Sequence, residues 1–431
     1  MKARACDGTG SDPSHFVRMI SSLASVRSLL FAIFVLMLGS GFLTTLISIR
    51  LQVNGTVPIV IGLIATSYFA GLATGAMHVG KLVERVGHIR TFAVVVAVLS
   101  ASTLSYTFSE HALLWMLLRF IDGFCVAGVY VCLESWLNDR AEGPSRGGVL
   151  AGYMIALYLG QGIGQQILNV TGSTPTTPFI LASLLISLAV LPVALTRMNG
   201  PTLPSTVSLS IWRLYATSPL AIVGVAATGV ILGAFYGLGP VYAGASGLSV
   251  SDTAGFMTAV ILGGVALQWP LGRLSDRFDR RTVIVATTAG AAISALVLSL
   301  TVPTGLGLAL GTLFGGASFA LYPLCVAHAN DQLAPAERVS ATGGLVLVYS
   351  LGAAVGPLVV SAAMTVLGPQ GLFQVVAILA VSVFGFGMWR RWVGDAVPAE
   401  MQQAYQPLPR TTAVATKLVT IVPAEDDTGQ D

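Results

Sequence analysis

The chain has 431 residues, of which 54% are hydrophobic and only 10% are charged, and its formal net charge is +3. A soluble domain normally carries about a quarter charged residues, so the composition excludes a large soluble enzyme or receptor. We predict a polytopic membrane protein, a monomer whose partners are the lipid bilayer and a small molecule, with no nucleic acid.

Twelve apolar runs follow one another along the chain, bounded by glycine, proline or charged residues. The first begins after a polar tail, and its length fits a spanning helix better than a cleaved signal peptide. Because lipid offers no partners to backbone polar groups, runs of this length cross it as helices. They are also too long and continuous for barrel strands. We predict an all-α membrane protein with twelve transmembrane helices at residues 29–50, 58–79, 91–108, 112–137, 148–170, 178–196, 219–243, 251–271, 282–301, 305–328, 340–367 and 372–393.

Basic residues are concentrated on one side of this layout. Only Arg50, at the end of the first helix, and Arg119, within the fourth, lie away from the tails and the alternate loops that share that side. Lys and Arg mark cytoplasmic loops, so we predict that both termini are cytoplasmic and that the protein lies in the cytoplasmic (inner) membrane.

Five regions follow from this topology. Two six-helix bundles, 29–196 and 219–393, are joined by a cytoplasmic linker, 197–218, rich in Pro, Ser and Thr. Cytoplasmic tails, 1–28 and 394–431, flank them. The C-terminal tail is polar and ends in EDDTGQD, which predicts disorder.

The two halves carry an internal repeat. GKLVER begins at Gly80 and GRLSDR at Gly272, an offset of 192 residues that also relates Asn138-Asp139 to Asn330-Asp331 and Gly160 and Gly164 to Gly352 and Gly356. With six spans each, the halves share one topology. Such halves are related by an axis along the membrane normal, with the substrate site between them near the midplane.

The stretches GKLVERVGHIR and GRLSDRFDRR resemble motif A of the major facilitator superfamily, G-x-L-x-D-R-x-G-R-R, with Glu84 in place of Asp and Asp279 in place of Gly. RFIDGFCVAGVYVCLESWLND with RGGVLAGYMIALYLGQGIGQ, and LYPLCVAHANDQL with SATGGLVLVYSLGAAVGP, resemble its YcaD-type branch. The resemblance covers about 29–393 and implies a transporter whose helices 1, 4, 7 and 10 line a central cavity.

The resemblance also implies a gating role for the motif A loops, in which acid–arginine pairs favour one access state. The alternative is ordinary cytoplasmic positive charge beside tight turns. The residues concerned are Gly80, Glu84, Arg85, Gly272, Asp276 and Arg277.

The fourth helix places charges where lipid makes them costly, so they should face a cavity or a partner. At 100° per residue, Arg119, Asp122, Tyr130 and Glu134 share one face. Asp122 could carry a coupled proton, Arg119 could bind an anionic substrate, or the two could form a static pair. Arg119, Asp122 and Gly123 resemble motif B of proton-coupled exporters, R-x-x-Q-G, with Asp for Gln. Glu134, near the inner end, could instead snorkel or cap a loop.

Polar and aromatic residues supply the remaining candidates. Gln161 and Gln165 belong to a stripe on the fifth helix that could face the cavity or hydrogen-bond to the eighth helix, where Gln268 is a plausible partner. Gly160 and Gly164 lie on a different side and indicate close helix packing. Aromatic candidates for substrate contact are Tyr236, Tyr242 and Tyr322.

We therefore predict a secondary active transporter that moves a small solute by alternating access, coupled to protons. An uncoupled facilitator and a transporter-fold sensor remain alternatives. The sequence has no nucleotide-binding loop and no histidine–carboxylate motif, and its four cysteines show no metal spacing, so we expect no enzyme, no cofactor and no metal.

Overall fold

The computed structural model describes residues 13–140, 146–170, 174–196, 210–301, 305–334 and 337–393, together with residues 402, 405, 406 and 409–412 of the C-terminal tail. Side chains are described from residue 26 onward, except that of residue 339. The rest of the predicted tails and residues 197–209 of the predicted linker lie outside the described residues.

Twelve helical segments are long and apolar enough to cross a membrane, and all twelve predicted runs are confirmed. We number them α1 to α12: Val26–Val53, Pro58–Val86, His88–Ser105, Ala112–Arg140, Arg146–Val170, Thr177–Ala194, Pro219–Ala245, Val250–Arg277, Arg280–Leu300, Leu306–Asp331, Ser340–Leu367 and Gly371–Val393.

Three of the twelve segments contain a break. The first consists of the part of helix Pro13–Ser40 from Val26 onward followed by Leu43–Val53, the fifth of Arg146–Gly164 and Ile167–Val170, and the sixth of Thr177–Leu188 and Val190–Ala194. A short helix, Ile211–Thr217, precedes α7.

The motif A sequences lie on helix ends, a difference from the predicted loops. Nothing in GKLVER or GRLSDR breaks a helix, so α2 continues to Val86 and α8 to Arg277. Gly87, with φ +89°, then ends α2 in the left-handed region that favours glycine.

The repeat predicted from the sequence is confirmed by helix packing. In the first half, α2 and α4 touch at Gly71 and Gly123, where a Cβ would lie within 3.0 Å of a carbonyl oxygen of the facing helix. The same contacts recur between α8 and α10, with both partners shifted by 192 residues: Gly71 against Phe120 and Gly123 against Tyr68 become Gly263 against Thr312 and Gly315 against Val260.

A second pair of helices repeats in the same way. The predicted packing of Gly160 and Gly164 is confirmed, since these residues of α5 face the α1 carbonyls of Phe34 and Leu38. In the other half Gly352 and Gly356 of α11 face the α7 carbonyls of Ala226 and Val230, again 192 residues further on.

The two bundles contact each other toward one end of the molecule. We call the end where α1 begins and α12 ends the terminal face, and the other end the opposite face. Thr66 Oγ1 donates to the carbonyl of Ala354 at 2.9 Å, and Thr258 Oγ1 donates to that of Gly162 at 3.0 Å. Thr66 and Thr258 lie near the helix starts at the opposite face, and both bonds are related by the 192-residue offset.

Candidate functional site

A cavity of about 110 Å³ lies between the two bundles. Four of the predicted candidates line it: Arg119, Tyr130, Gln161 and Tyr236. Of the four helices expected to line it, α1, α4 and α7 contribute and α10 does not, whereas α2, α5, α11 and residues 409–411 of the C-terminal tail also contribute. The helices around the cavity therefore differ from the set implied by the resemblance.

Arg119 is held by three helices of the first bundle. Its Nη2 donates to Thr44 Oγ1 of α1 at 2.8 Å, and its guanidinium lies over the Tyr68 ring of α2, 4.2 Å from the centroid. Within α4, Nη1 is 3.6 Å from Asp122 Oδ2, and both side chains are buried. The pair expected from the sequence is formed, and its guanidinium faces the cavity.

Asp122 lies behind Arg119, away from the cavity lining. The hydroxyl of Tyr106, at the end of α3, donates to Asp122 Oδ2 at 2.6 Å. The other oxygen, Oδ1, is buried and has no hydrogen-bond donor among the described residues. Asp122 therefore has one carboxylate oxygen that is free to accept a hydrogen bond or a proton, and it lies next to Arg119, which reaches the cavity.

Glu134 is fully buried, which differs from the snorkelling that its position near the helix end suggested. It accepts hydrogen bonds from the hydroxyl of Tyr153 on α5, at 3.1 Å, and from those of Thr411 and Thr412. We call residues 409–412, PRTT, the tail segment. Glu134 therefore holds part of a C-terminal tail that the sequence predicted to be disordered.

Arg410 places the tail segment between the two bundles. Its guanidinium lies 4.5 Å from the ring centroid of Phe319, 5.6 Å from that of Tyr349 and 5.7 Å from that of Tyr158. Nη2 donates to the Tyr158 hydroxyl at 2.6 Å, whereas Nη1 is buried without an acceptor among the described residues. These contacts come from α5, α10 and α11, so one side chain touches both halves.

The two glutamines of the polar stripe on α5 have different partners, and only Gln161 follows one of the two predicted alternatives. Tyr236 of α7 donates to Gln161 Oε1 at 3.1 Å inside the cavity. Gln165 instead donates to the carbonyl of Gly41 in α1 at 3.0 Å, so its predicted bond to α8 is wrong. The α8 contact comes from the neighbouring Gln166, which donates to Thr258 Oγ1 at 2.7 Å and was missed.

The other proposed contacts lie outside the cavity lining. Gln268 is buried beside Tyr405 of the tail. Tyr322 packs edge-on against Tyr349, with ring centroids 5.4 Å apart. Tyr242 donates to the carbonyl of Leu298 at 2.7 Å, which ties α7 to α9.

In the second motif A, Asp276 pairs with the start of the neighbouring helix, through an arginine that was not among the predicted residues. Arg280, at the start of α9, lies 3.2 Å from Asp276 and 2.6 Å from Asp331 at the end of α10. The backbone N–H of Tyr405 donates to Asp276 at 2.8 Å, and a Cβ on Gly272 would collide with the Tyr405 ring. The motif therefore also forms a docking point for the tail.

The first motif A makes fewer contacts. Glu84, Arg85 and, in the second copy, Arg277 are exposed, and none forms an ion pair among the described residues. Gly80 is half-buried within α2. Gating by these residues stays a prediction.

Twelve spanning helices in two repeated bundles around a central cavity define the architecture of a membrane transporter. The sequence profile of the Major Facilitator Superfamily matches residues 29–304 and 245–422. The chain belongs to this superfamily and is a multi-pass membrane protein.

Relatives confirm the narrower resemblance. A protein of Escherichia fergusonii, described as uncharacterized MFS-type transporter YcaD, is 28% identical over 334 residues, which cover 77% of this chain and 87% of that protein. An uncharacterized MFS-type transporter of an Enterobacter species is 28% identical over 361 residues, covering 82% of this chain and 93% of its own length.

Solved transporter structures share the fold. The nucleoside transporter NupG superposes with a TM-score of 0.71 at 14% identity, covering 84% of this chain and 98% of NupG. A bacterial homologue of the human lysosomal transporter Spinster, in an inward-facing, unoccupied conformation, gives 0.70 at 12% identity, covering 91% and 99%.

Proposed function

We propose that this protein is a secondary active transporter that moves a small solute across the cytoplasmic membrane by alternating access, with a proton as the coupled ion. The observation that carries the proposal is a buried guanidinium, Arg119, that lines the cavity and is backed by the carboxylate of Asp122. Ionisable groups buried at membrane depth mark substrate or proton pathways.

The arrangement of the bundles supports alternating access. With the termini assigned to the cytoplasm by the distribution of Lys and Arg, the terminal face is the cytoplasmic side. The bonds from Thr66 and Thr258 then close the external side. A conformation closed at the external side is one stage of such a cycle, and exchange of these contacts for others at the cytoplasmic side would complete it.

Proton coupling is proposed for Asp122 because its free Oδ1 can accept a proton while Oδ2 stays bonded to Tyr106. A solute bound in the cavity changes the charge and hydrogen bonding next to this ion pair and thereby shifts the protonation of Asp122. The position of Asp122 behind Arg119 favours a second candidate, an uncoupled facilitator in which the pair only fixes helix packing.

Proteoliposomes that enclose a pH-sensitive dye test both. A panel of cations, sugars, nucleosides, amino acids and organic acids is added, and lumenal pH and solute uptake are recorded. We expect one class to move protons with the wild type, whereas Asp122→Asn equilibrates that solute without moving protons. Unchanged proton movement in Asp122→Asn would support another coupling site, and a panel that produces no uptake at all would favour a sensor.

A further inference from the structure

The tail segment fills the cytoplasmic side of the central cavity. Pro409, Arg410 and Thr412 are buried, and residues 409–411 line the cavity that also contains Arg119, Tyr130 and Tyr236. A segment of the chain itself thus lies where a solute must bind in this access state.

The surroundings of Arg410 suit an organic cation. Its guanidinium is flanked by three aromatic rings and bonded to the Tyr158 hydroxyl, and it forms no ion pair among the described residues. Aromatic cages of this kind bind desolvated cations through the negative faces of their rings. Planar guanidinium groups suit them particularly well because they also stack.

Charge also favours a cation in this place. Apart from the tail, the buried charged side chains around the cavity in the described part of the chain are one cation, Arg119, and two carboxylates, Asp122 and Glu134. Arg119 offsets Asp122 through the ion pair, which leaves Glu134 with only the Tyr153 hydroxyl from the helices. The tail segment adds one positive charge and the two hydroxyls that Glu134 accepts.

We infer that Arg410 occupies the place of the substrate's charged group. The substrate is then a small organic cation with hydrogen-bond donors. The tail segment competes with it from the cytoplasmic side. This inference rests on the proposed transport function. A tethered competitor lowers the apparent affinity by the fraction of time for which it leaves the site open. Its effective concentration is set by the tether and not by the solution.

The first test is binding of matched probes to the full-length protein in nanodiscs. Benzylguanidinium is the cation, benzylurea its neutral counterpart and hippurate an anion. If the tail segment occupies the site about nine-tenths of the time, Arg410→Ala should bind benzylguanidinium about tenfold more tightly than wild type, with Arg410→Lys intermediate. Benzylurea should bind to none, and adding Glu134→Gln to Arg410→Ala should reverse the gain. Arg213→Ala, at an exposed arginine, should match wild type.

Three results would overturn the inference. These are equal cation affinity in Arg410→Ala and wild type, failure of both proteins to bind benzylguanidinium, and hippurate binding that is lost in Arg410→Ala. The last result would make Arg410 part of an anion site. The solute panel keeps the two proposals apart, since uptake of an anion or a neutral solute overturns only the cation class, whereas no uptake overturns transport itself.

A second measurement follows the tail segment directly. Pro409 makes no side-chain hydrogen bond and is buried, so a Pro409→Cys variant reports displacement of the segment. The native cysteines at 125, 132 and 325 are buried, and Cys6→Ser removes the fourth. We expect benzylguanidinium to speed maleimide labelling at position 409, and benzylurea to leave it unchanged. Labelling that ignores the cation would contradict competition.

Discussion

Arg280 has two carboxylate partners that differ in burial and should therefore differ in their contribution to stability. Asp331 is buried with it, whereas Asp276 is 38% exposed and also receives the backbone N–H of Tyr405. Breaking a buried pair leaves an uncompensated charge in a low-dielectric site, whereas solvent screens an exposed pair. The two carboxylates should therefore affect stability and transport differently.

Asp331→Asn should lower the free energy of unfolding by about 3–5 kcal/mol, because Arg280 keeps its charge without its buried partner. Asp276→Asn should lower it by less than about 1 kcal/mol, since its carboxylate is partly solvated. Thermal unfolding in detergent micelles measures both changes, with Glu84→Gln at the exposed first motif as the control.

Transport gives the complementary result for Asp276. We expect Asp276→Asn to slow uptake while the amount of folded protein stays close to wild type, because the carboxylate links α8 to α9 and to the tail. Uptake at the wild-type rate would count against a gating role for the second motif A.

Helical periodicity identified Arg119, Tyr130 and Gln161 as candidates because it predicts which residues share a face, whereas Tyr236 was proposed as an aromatic residue with a polar tip. Periodicity could not show that Asp122 lies behind Arg119. The face of α4 that includes both residues is wide enough to reach the neighbouring α3, where Tyr106 donates to Asp122. Arg410 was missed because PRTT has no periodicity and follows a polar stretch. Its burial depends on a carboxylate more than 270 residues away in the chain, and no local pattern records such a pairing.

Helices of the two halves pack by the same rule. Each close contact places a glycine against a carbonyl of the facing helix, and the offset of 192 residues relates both partners of each contact. The sequence predicted the offset from repeated motifs near the helix ends. The packing contacts show that the same offset also relates residues within the spanning helices. Small residues let backbones approach, so the glycines fix the spacing of α2 from α4 and of α8 from α10.

Gly123→Ala and its repeat equivalent Gly315→Ala should both destabilise the protein, by about 1–3 kcal/mol each, because the methyl group meets a carbonyl oxygen that only a helix shift can move away. Melting temperature and yield of monodisperse protein measure the effect. Gly385→Ala in α12 is the matched control, since no atom lies within 4 Å of the added Cβ. Equal behaviour of all three variants would mean that the helix spacing tolerates the methyl group.

In the molecule as a whole, two threonines that occupy equivalent positions, Thr66 and Thr258, link the bundles at the opposite face. Each donates to a carbonyl of the other bundle, so in the proposed transport cycle these bonds would form only in the state that is closed at this face. A difference of this kind between two states is what sets their populations.

The double variant Thr66→Val and Thr258→Val should shift the access equilibrium toward opening at the opposite face. Each of the two donated hydrogen bonds contributes about 0.5–1.5 kcal/mol, so the ratio of the two states should change by roughly 5- to 150-fold. Spin labels on α2 and α11 can record the separation of the bundles. Thr74→Val is the control, because its hydroxyl bonds within α2 to the Ala70 carbonyl. An unaltered distance distribution would assign the closure to the remaining contacts at this face, which include the bond from Ser48 to the Gly237 carbonyl and apolar packing.

The position of the tail segment in the chain has a consequence for biosynthesis. Residues 409–412 leave the ribosome after all twelve spanning helices, and chains fold from the N-terminus onward during synthesis. We therefore expect the bundles to insert while Glu134 has Tyr153 as its hydrogen-bond donor among the described helices. Thr411 and Thr412 would reach that carboxylate last, so a newly inserted protein and the finished one would differ at the centre of the molecule although their helices are the same.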